Sequence, residues 1–146
     1  MLFYSSFIDG QDDWPAADFD KYLQASGDLG VRMETAFEQA FSEQQGPVLI
    51  IGSDCAQLTA QIIQEGIDAL EEHDFVIGPA EDGGYYLLGM RAFHPEVFKG
   101  IAWSTETVFE QTNTIIANKD WTLKLLPTLS DIDYEEDWEK HGWEIP

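Results

Sequence analysis

The sequence predicts an α/β domain in which a mixed, mostly parallel sheet is flanked by helices. Short apolar runs alternate with longer segments of helical periodicity, as in chains whose parallel strands are joined by helical crossovers. The run Val48–Ile51 is wholly apolar and is bounded by turn residues, which is typical of a central parallel strand. The run Tyr85–Met90 follows the preceding strand too closely for a helical crossover, so we expect it to be antiparallel or displaced.

Local signals assign the other strands and the first helices. We expect strands at residues 2–8, 74–79 and 121–126, where apolar and aromatic side chains are concentrated. Residues 18–24 are expected to form a short helix. Apolar residues recur every four positions at Leu29, Met33, Phe37 and Phe41, which predicts a longer helix. A Gly-Pro pair that follows would end this helix.

N-cap residues mark three later helices. Thr59 precedes a segment with apolar residues at helical spacing, and Ser104 or Thr105 is expected to open a helix that runs to about Ala117. Asp133, with an acidic residue three positions later, makes a capping box for a last helix.

Length and composition indicate a single domain, residues 1–146, with 44% apolar residues. No apolar run approaches the roughly 20 residues that a membrane span needs, and the N-terminus lacks the features of a secretory signal. The single cysteine, Cys55, excludes an internal disulfide and fits a reducing compartment. We therefore expect a cytoplasmic protein that does not insert into membranes.

The formal net charge of −21, with only seven Lys and Arg residues, restricts the ligands of this chain. We expect no nucleic acid as a partner, because binding to the double-stranded form requires cationic side chains that neutralise its phosphates. A small phosphate ligand would need a divalent cation, Mg²⁺ or Mn²⁺, as mediator. An alternative of equal weight is that the acidity serves solubility, or reflects a halophilic or acid-tolerant source.

Asp54 lies just past the end of the apolar run Val48–Ile51, the position at which open α/β sheets bind ligands. Its carboxylate could hold Mg²⁺ or Mn²⁺ against a pyrophosphate, since Mg²⁺ takes one or two carboxylates together with phosphate oxygens. The alternative is an aspartate that caps the next helix or stabilises a turn, although Thr59 competes for the cap. We expect Cys55 beside it to be a small buried residue.

A second candidate segment contains Glu81, Asp82, Gly83 and Gly84, followed by Tyr85. The two glycines allow a ligand to approach the backbone closely, and the carboxylates could orient sugar hydroxyls or act as a base. The alternative is an Asp-Gly hairpin turn, which the sequence fits equally well.

Two further segments carry polar groups. Trp103, Ser104 and Thr105 could present hydroxyl and backbone N–H groups to a phosphate, although a helix start with a packing aromatic is the more common explanation. Asp131 and Asp133 would lie on the same side of an extended segment, where either could supply a second metal ligand.

Arg32 follows a Gly-Asp-Leu-Gly loop near the start of a helix, where it could clamp a phosphate or lie on the surface. The three histidines are scattered and have no metal-ligand spacing. The sequence contains no nucleophile elbow, Walker loop or dinucleotide-binding glycine motif.

Taken in this order, these segments resemble a bacterial family of GT-A-type transferases, described as glycosyltransferase-like or radical-SAM/selenodomain-associated transferases. The resemblance is carried by residues 27–33, 51–55 and 78–89, the last with the sequence Gly-Pro-Ala-Glu-Asp-Gly-Gly-Tyr-Tyr at its start, and continues at residues 103–105 and 131–133. The wider superfamily includes the guanylyltransferases of molybdenum-cofactor and coenzyme F420 synthesis.

The resemblance implies a nucleotide-diphospho-sugar transferase fold, a divalent cation (Mg²⁺ or Mn²⁺), and a nucleotide or nucleotide sugar as ligand. It places Asp54 at the metal, with Asp131 or Asp133 as the second metal carboxylate. Asp82 and the glycines after it would line the acceptor or sugar side, and Gly27 and Arg32 would lie near the nucleotide. The predicted site is therefore Asp82 as catalytic residue, Asp54, Asp131 and Asp133 for the metal, and Gly27, Arg32, Gly83, Gly84, Tyr85, Trp103, Ser104 and Thr105 for the substrate.

One segment of the family has no counterpart in this sequence. Family members begin with a strand and a phosphate-embracing loop rich in lysine and arginine, whereas residues 2–8 resemble the family's second strand. We therefore expect the sheet to lack a strand and to expose an edge through which copies could associate. Three hypotheses stay open: a metal-dependent glycosyl or nucleotidyl transferase, an inactive GT-A scaffold used for binding or assembly, and a longer native protein.

Overall fold

The computed structural model describes residues 1–43 and 45–130. The strands and α-helices, in chain order, are β1 (Leu2–Tyr4), β2 (Lys21–Leu23), α1 (Leu29–Glu43), β3 (Val48–Ile51), α2 (Ala60–Ala69), β4 (Phe75–Pro79), β5 (Tyr85–Met90), α3 (Val108–Asn118) and β6 (Leu123–Leu125), with a short 3-10 helix at Pro95–Phe98 before α3. The α/β class, the first long helix and the strands β4 and β5 are confirmed.

Four strands form the main sheet in the order β3–β5–β4–β6. Strand β5 is antiparallel to both of its neighbours, whereas β6 is parallel to β4. Strands β3, β4 and β6 therefore run in one direction, and the prediction of a mixed, mostly parallel sheet with β5 reversed is confirmed. Their carboxyl ends lie at one edge of the sheet, together with the amino end of β5.

The prediction that β3 is a central strand is wrong, because among the described residues it pairs with β5 alone. In an antiparallel pair, every second residue bonds to the partner strand. Gly52 N donates to Tyr86 O at 2.9 Å, so the main-chain groups of Leu49 and Ile51 point away from β5, towards the side of β3 that has no strand among the described residues. The apolar run reflects contacts on both faces instead: Val48 packs against one core cluster and Leu49 against the other. Self-association of copies through this edge stays a prediction.

A separate parallel pair is formed by β1 and β2, with Leu2 opposite Lys21. The helix predicted over residues 18–24 is therefore wrong. Tertiary contacts override the local preference here, since Tyr22 stacks on Phe3 of β1 and Lys21 Nζ donates to Asp12 Oδ1 at 2.6 Å.

The core has two parts, one on each face of the main sheet. On one face, Phe75, Ile77, Leu88 and Met90 are buried together with residues of α1, α3 and the 3-10 helix. On the other face, Val76, Tyr86 and Leu87 pack with Leu70 at the end of α2. Helices therefore cover both faces of the sheet and leave the carboxyl ends of β3, β4 and β6 at an uncovered edge, which we call the rim.

The helix starts test the predicted caps. Thr59 caps α2 as predicted, since its Oγ1 accepts a hydrogen bond from Ile62 N at 3.3 Å. The prediction that Ser104 or Thr105 opens α3 is wrong, because α3 begins at Val108. The Thr105 hydroxyl donates instead to Ala102 O at 2.6 Å and holds a loop together. The predicted cap at Asp133 lies outside the described residues.

None of the helices within the described residues is both long enough and apolar enough to cross a membrane.

Asp12 anchors the loop between β1 and β2, and we predict that Asp12→Asn destabilises the protein in a pH-dependent way. The hydrogen bond from Lys21 holds the pKa of Asp12 below its ordinary value, and the Tyr4 hydroxyl also donates to this carboxylate. A lowered folded-state pKa stabilises the protein above the unfolded pKa, and this contribution is lost as pH falls through the folded value.

Thermal unfolding of wild type and Asp12→Asn should therefore differ at pH 7, and the difference should shrink below about pH 4. Asp13→Asn is the matched control, because this neighbouring side chain is exposed. An unfolding difference that is the same at pH 7 and pH 3 would contradict a role for the charge of Asp12.

Candidate functional site

The segments that carry Asp54 and Asp82 begin at the carboxyl edge of the main sheet. Asp54 follows β3, the loop with Asp82 joins β4 to β5, and Ser130 follows β6. Because β3, β4 and β6 are parallel to one another, the segments that leave them begin at the same rim. This arrangement matches the place at which open α/β sheets bind ligands.

The Asp54 carboxylate is exposed and has no hydrogen-bond partner among the described residues. It does not cap α2, because Thr59 fills that position. Cys55, the next residue, is buried as predicted. The chain therefore turns inwards at Cys55 and leaves the charge of Asp54 at the rim, where a carboxylate is available to a ligand.

The loop between β4 and β5 is a hairpin turn that Asp82 stabilises. Asp82 Oδ1 accepts a hydrogen bond from Gly84 N at 2.8 Å, and Gly83 N donates to Ala80 O at 3.1 Å. The Asp-Gly turn that the sequence offered as an alternative is thus present. Asp82 Oδ2 has no donor among the described residues, so the turn engages one oxygen and leaves the other for a ligand.

Gly83 fixes this hairpin against the segment that precedes α3. Its φ is +89°, and a Cβ atom placed on it would lie 2.0 Å from Glu106 O. Its own carbonyl accepts a hydrogen bond from Phe109 N at 2.9 Å. Only glycine can make this approach, and the contact joins the Asp82 loop to the loop that carries Trp103.

Tyr85, predicted as a substrate-binding residue, has its hydroxyl in the interior. The Tyr85 ring packs against the core cluster beneath α1 and α3, and burial raises the pKa of its hydroxyl well above the ordinary value. The Tyr85 and Thr112 hydroxyls are both buried without a well-formed hydrogen bond. Tyr85 would therefore affect a ligand indirectly, by packing beneath the residues of the rim.

Trp103, Ser104 and Thr105 form a loop beside the first turn of α1. A Cβ on Gly30 would lie 2.1 Å from Trp103 Nε1, so the indole packs directly on the helix backbone. Ser104 is exposed and has a φ of +61°, an uncommon conformation for a residue with a side chain. The Thr105 hydroxyl is already bonded to its own loop. Ser104 is exposed, and its hydroxyl has no hydrogen-bond partner among the described residues.

Gly27 and Arg32 belong to the turn that starts α1. Gly27 has a φ of +125°, and its carbonyl accepts a hydrogen bond from Arg32 Nε at 3.0 Å. Asp28 Oδ1 caps the helix by accepting from Val31 N at 2.9 Å. The terminal nitrogens of Arg32 have no acceptor among the described residues, so its charge stays available at the start of α1.

The sequence did not indicate that Ser130 would bond to residues of both acidic loops. Ser130 is 7% exposed, and its Oγ donates to Glu81 Oε2 at 2.6 Å. Ser130 N donates to Gln57 Oε1 at 3.0 Å. The only feature of the sequence that pointed to Ser130 was its position directly before Asp131. Nothing in the sequence indicated which residues Ser130 would contact.

The rim offers two carboxylate groups of the kind that bind divalent cations. Asp54 offers an uncommitted carboxylate and Asp82 a free oxygen, the hard donors that Mg²⁺ and Mn²⁺ prefer. Within residues 1–43 and 45–130, no group of three metal-binding side chains comes together. Asp131 and Asp133 lie outside the described residues, and their assignment to the metal stays a prediction.

The structure is similar to a solved structure of a protein from Desulfovibrio desulfuricans G20, a "putative nucleotide-diphospho-sugar transferase", with a TM-score of 0.74 and 36% sequence identity. The match covers 77% of this chain and 50% of the other, so this chain spans about half the length of that protein. With its mixed sheet and flanking helices, the chain has a nucleotide-diphospho-sugar transferase-like fold.

Residues 1–105 match the family described as "uncharacterized protein conserved in bacteria (DUF2064)", and the chain belongs to this family. No curated protein matches the chain. The finer resemblance, to radical-SAM/selenodomain-associated transferases, stays a prediction.

The close approach of Gly83 to Glu106 predicts a large effect of Gly83→Ala. Both the positive φ and the collision with backbone oppose a side chain at this position, and we expect the free energy of unfolding to fall by more than about 3 kcal/mol. Gly100→Ala is the matched control, because Gly100 also has a positive φ, +69°, but open space around it.

Gly100→Ala should lower the free energy of unfolding by about 1–2 kcal/mol, the strain of a left-handed residue alone. Urea denaturation of the two variants measures the difference. Equal losses in both variants would show that the contact between Gly83 and Glu106 is not tight.

Proposed function

We propose that this chain belongs to a metal-dependent, glycosyltransferase-like transferase that uses a nucleotide-activated donor, and that the rim of its sheet forms the site. The observation that carries the proposal is the common position of Asp54, the Asp82 turn and the Trp103 loop at the carboxyl edge of the sheet. The similarity to a chain described as a nucleotide-diphospho-sugar transferase supports this class of ligand. We further propose a cytoplasmic location, which the single cysteine supports.

Charge supports a role for a divalent cation at this rim. The described part of the chain commits three of its cations to ion pairs elsewhere, namely Lys21 with Asp12, Arg91 with Asp74, and Lys99 with Glu34. Arg32 is the cation near the rim whose charge is not paired in this way. A pyrophosphate would therefore meet far more carboxylates than cations, and its binding requires an added positive charge.

Asp54 would hold this cation, with Asp131 or Asp133 as the second carboxylate. When bound, Mg²⁺ or Mn²⁺ would neutralise charge on the pyrophosphate of the donor and so favour departure of the nucleotide. Arg32 and the turn at Gly27 would bind the nucleotide side, where the guanidinium can donate to a phosphate oxygen. Ser104 would add a hydroxyl from the neighbouring loop.

Asp82 would act on the acceptor or sugar side of the same rim. Its bond to Gly84 N fixes the carboxylate in one orientation, and Oδ2 stays free to accept a hydrogen bond from a hydroxyl group. A carboxylate in this position can orient an acceptor hydroxyl and take its proton during transfer. Gly83 and Gly84 leave room above the turn for the approach of that group.

Two other functions use the same scaffold. Nucleotidyl transfer, as in the molybdenum-cofactor and F420 guanylyltransferases, would use the same cation but would release pyrophosphate instead of a nucleoside diphosphate. A binding or assembly module without activity is favoured by the open side of β3, where the main-chain groups of Leu49 and Ile51 have no strand partner among the described residues.

Binding of Mn²⁺ and nucleotides to wild type and Asp54→Ala tests the proposed function. Wild type should bind a nucleoside diphosphate or nucleotide sugar only when Mn²⁺ is present, and Asp54→Ala should weaken Mn²⁺ binding by at least about 10-fold. Isothermal titration measures both affinities. Asp13→Ala, which removes one exposed carboxylate far along the chain from the rim, controls for the change in net charge.

Equal binding by wild type and Asp54→Ala, or no binding by either, would contradict the metal site. Where binding is found, the released product separates the enzyme classes: nucleoside diphosphate indicates glycosyl transfer, and pyrophosphate indicates nucleotidyl transfer. Binding without any product would favour the inactive module.

A further inference from the structure

Strand β5 carries a β-bulge at the rim, and Tyr86 is its extra residue. Gly78 lies opposite Leu87, and Pro79 lies opposite Tyr85, so no residue of β4 lies opposite Tyr86. Consecutive side chains of a regular strand point to opposite faces of the sheet. Tyr86 and Leu87 nevertheless pack in the same core cluster, whereas Tyr85 packs in the other. The bulge therefore turns the Tyr86 ring onto the face that α2 covers.

The Tyr86 ring crosses the backbone of β4 at Gly78. A Cβ atom on Gly78 would lie 2.3 Å from Tyr86 Cζ, so only glycine leaves room for the ring at this point. The hydroxyl reaches the segment that follows β6 and donates to Pro127 O at 2.8 Å. Burial raises the pKa of this hydroxyl to about 12, so it keeps its proton for the bond.

Pro127 lies where the pairing between β4 and the β6 segment is interrupted. Leu126 N donates to Ile77 O at 2.9 Å, and further along Leu129 N donates to Pro79 O at 3.1 Å. Between these two bonds one chain advances from 77 to 79 and the other from 126 to 129, so the second accommodates one extra residue. Pro79 has no N–H group to donate across this gap. The Tyr86 hydroxyl supplies a bond to the main chain there.

The segment that begins at Pro127 runs along the Asp82 turn. Glu81 N donates to Leu129 O at 3.0 Å, so this segment and the turn are bonded to each other. Asp131, which the sequence predicts as a metal carboxylate, comes two positions after Leu129. The path of the chain at Pro127 therefore affects both carboxylate-bearing segments.

Tyr86 also borders the exit of β3 through its main chain. Its carbonyl accepts a hydrogen bond from Gly52 N at 2.9 Å, and Asp54 follows shortly after Gly52. The main chain and the side chain of Tyr86 thus contact the segments that leave β3 and β6. These are the two segments on which metal carboxylates are predicted.

We infer that Tyr86 is a positioning residue: the bulge of β5 directs its hydroxyl to Pro127, and this bond sets the path of the chain from β6 to the rim. The inference rests on the proposed function for its consequence at the metal. It concerns the tyrosine beside Tyr85, which the sequence predicted to bind substrate.

Tyr86→Phe tests the inference, because it deletes the hydroxyl and keeps the ring. An intramolecular hydrogen bond of this kind contributes a factor of about 5 to a local equilibrium. Hydrogen exchange of the bonded amides of Leu129 and Ser130 should therefore become about 5-fold faster. The Kd for Mn²⁺ should rise by about the same factor, because the segment must be ordered when the ion binds.

The exchange rates are measured by nuclear magnetic resonance, and Mn²⁺ binding by electron paramagnetic resonance of the free ion in about 0.15 M salt. Tyr22→Phe is the matched control, because it deletes a hydroxyl that joins β2 to the end of α1 by donating to Glu43 Oε2 at 3.0 Å. This variant should leave both measurements at their wild-type values. Unchanged exchange in Tyr86→Phe, or equal changes in both variants, would overturn the inference.

A variant with both Asp131→Asn and Asp133→Asn separates positioning from a general loss of structure. In this background Tyr86→Phe should weaken Mn²⁺ binding no further, because the hydroxyl acts through the segment that leads to these carboxylates. A further loss by the same factor would overturn the inference, as would faster exchange with an unchanged Kd in Tyr86→Phe alone. If wild type binds no Mn²⁺, the metal-dependent function fails, and faster exchange in Tyr86→Phe would still support the role of Tyr86 in holding the segment.

Discussion

The reversed strand β5 is the constraint on which the site depends. A short hairpin joins β4 to β5, so the Asp82 turn comes at the same end of the sheet as the carboxyl ends of β3, β4 and β6. Gly52 N then bonds to Tyr86 O, which places the exit of β3 beside the start of β5. The absence of a side chain at Gly83 lets this turn dock on the segment before α3. Three loops thereby meet at one rim, although helix α2 separates the Asp54 loop from the Asp82 turn along the chain.

Electrostatics explains how a strongly acidic chain could bind a phosphate compound. Within the described residues most carboxylates are on exposed surface, and several are committed to helix caps or ion pairs, as Asp28 and Asp74 are. Asp54 is distinguished by its position, because its exposed carboxylate follows β3 at the carboxyl edge of the sheet. A cation bound there would reverse the sign of the local potential, which explains how a net charge of −21 is compatible with a nucleotide ligand.

The parts of the fold that follow from local pattern were predictable, and those that depend on distant contacts were not. The four-residue repeat gave α1, and Thr59 as cap gave the start of α2, because both signals lie within one helix. The segment at Lys21 forms a strand through pairing with β1, which no local signal reports. In the site, Asp54 was recognisable from its place after an apolar strand, whereas Ser130 bonds to partners 49 and 73 residues away. Ser104 was predicted to start a helix, but its hydroxyl is exposed on a loop.

The position of a bound cation is the most direct test of the proposed metal site. Crystals of this chain grown with Mn²⁺ and a nucleoside diphosphate would locate the ion by its anomalous scattering. We expect one strong peak within bonding distance of the Asp54 carboxylate, at the carboxyl edge of the sheet and in contact with the phosphates. A peak elsewhere on the acidic surface, or a nucleotide bound at this rim without any cation, would contradict it.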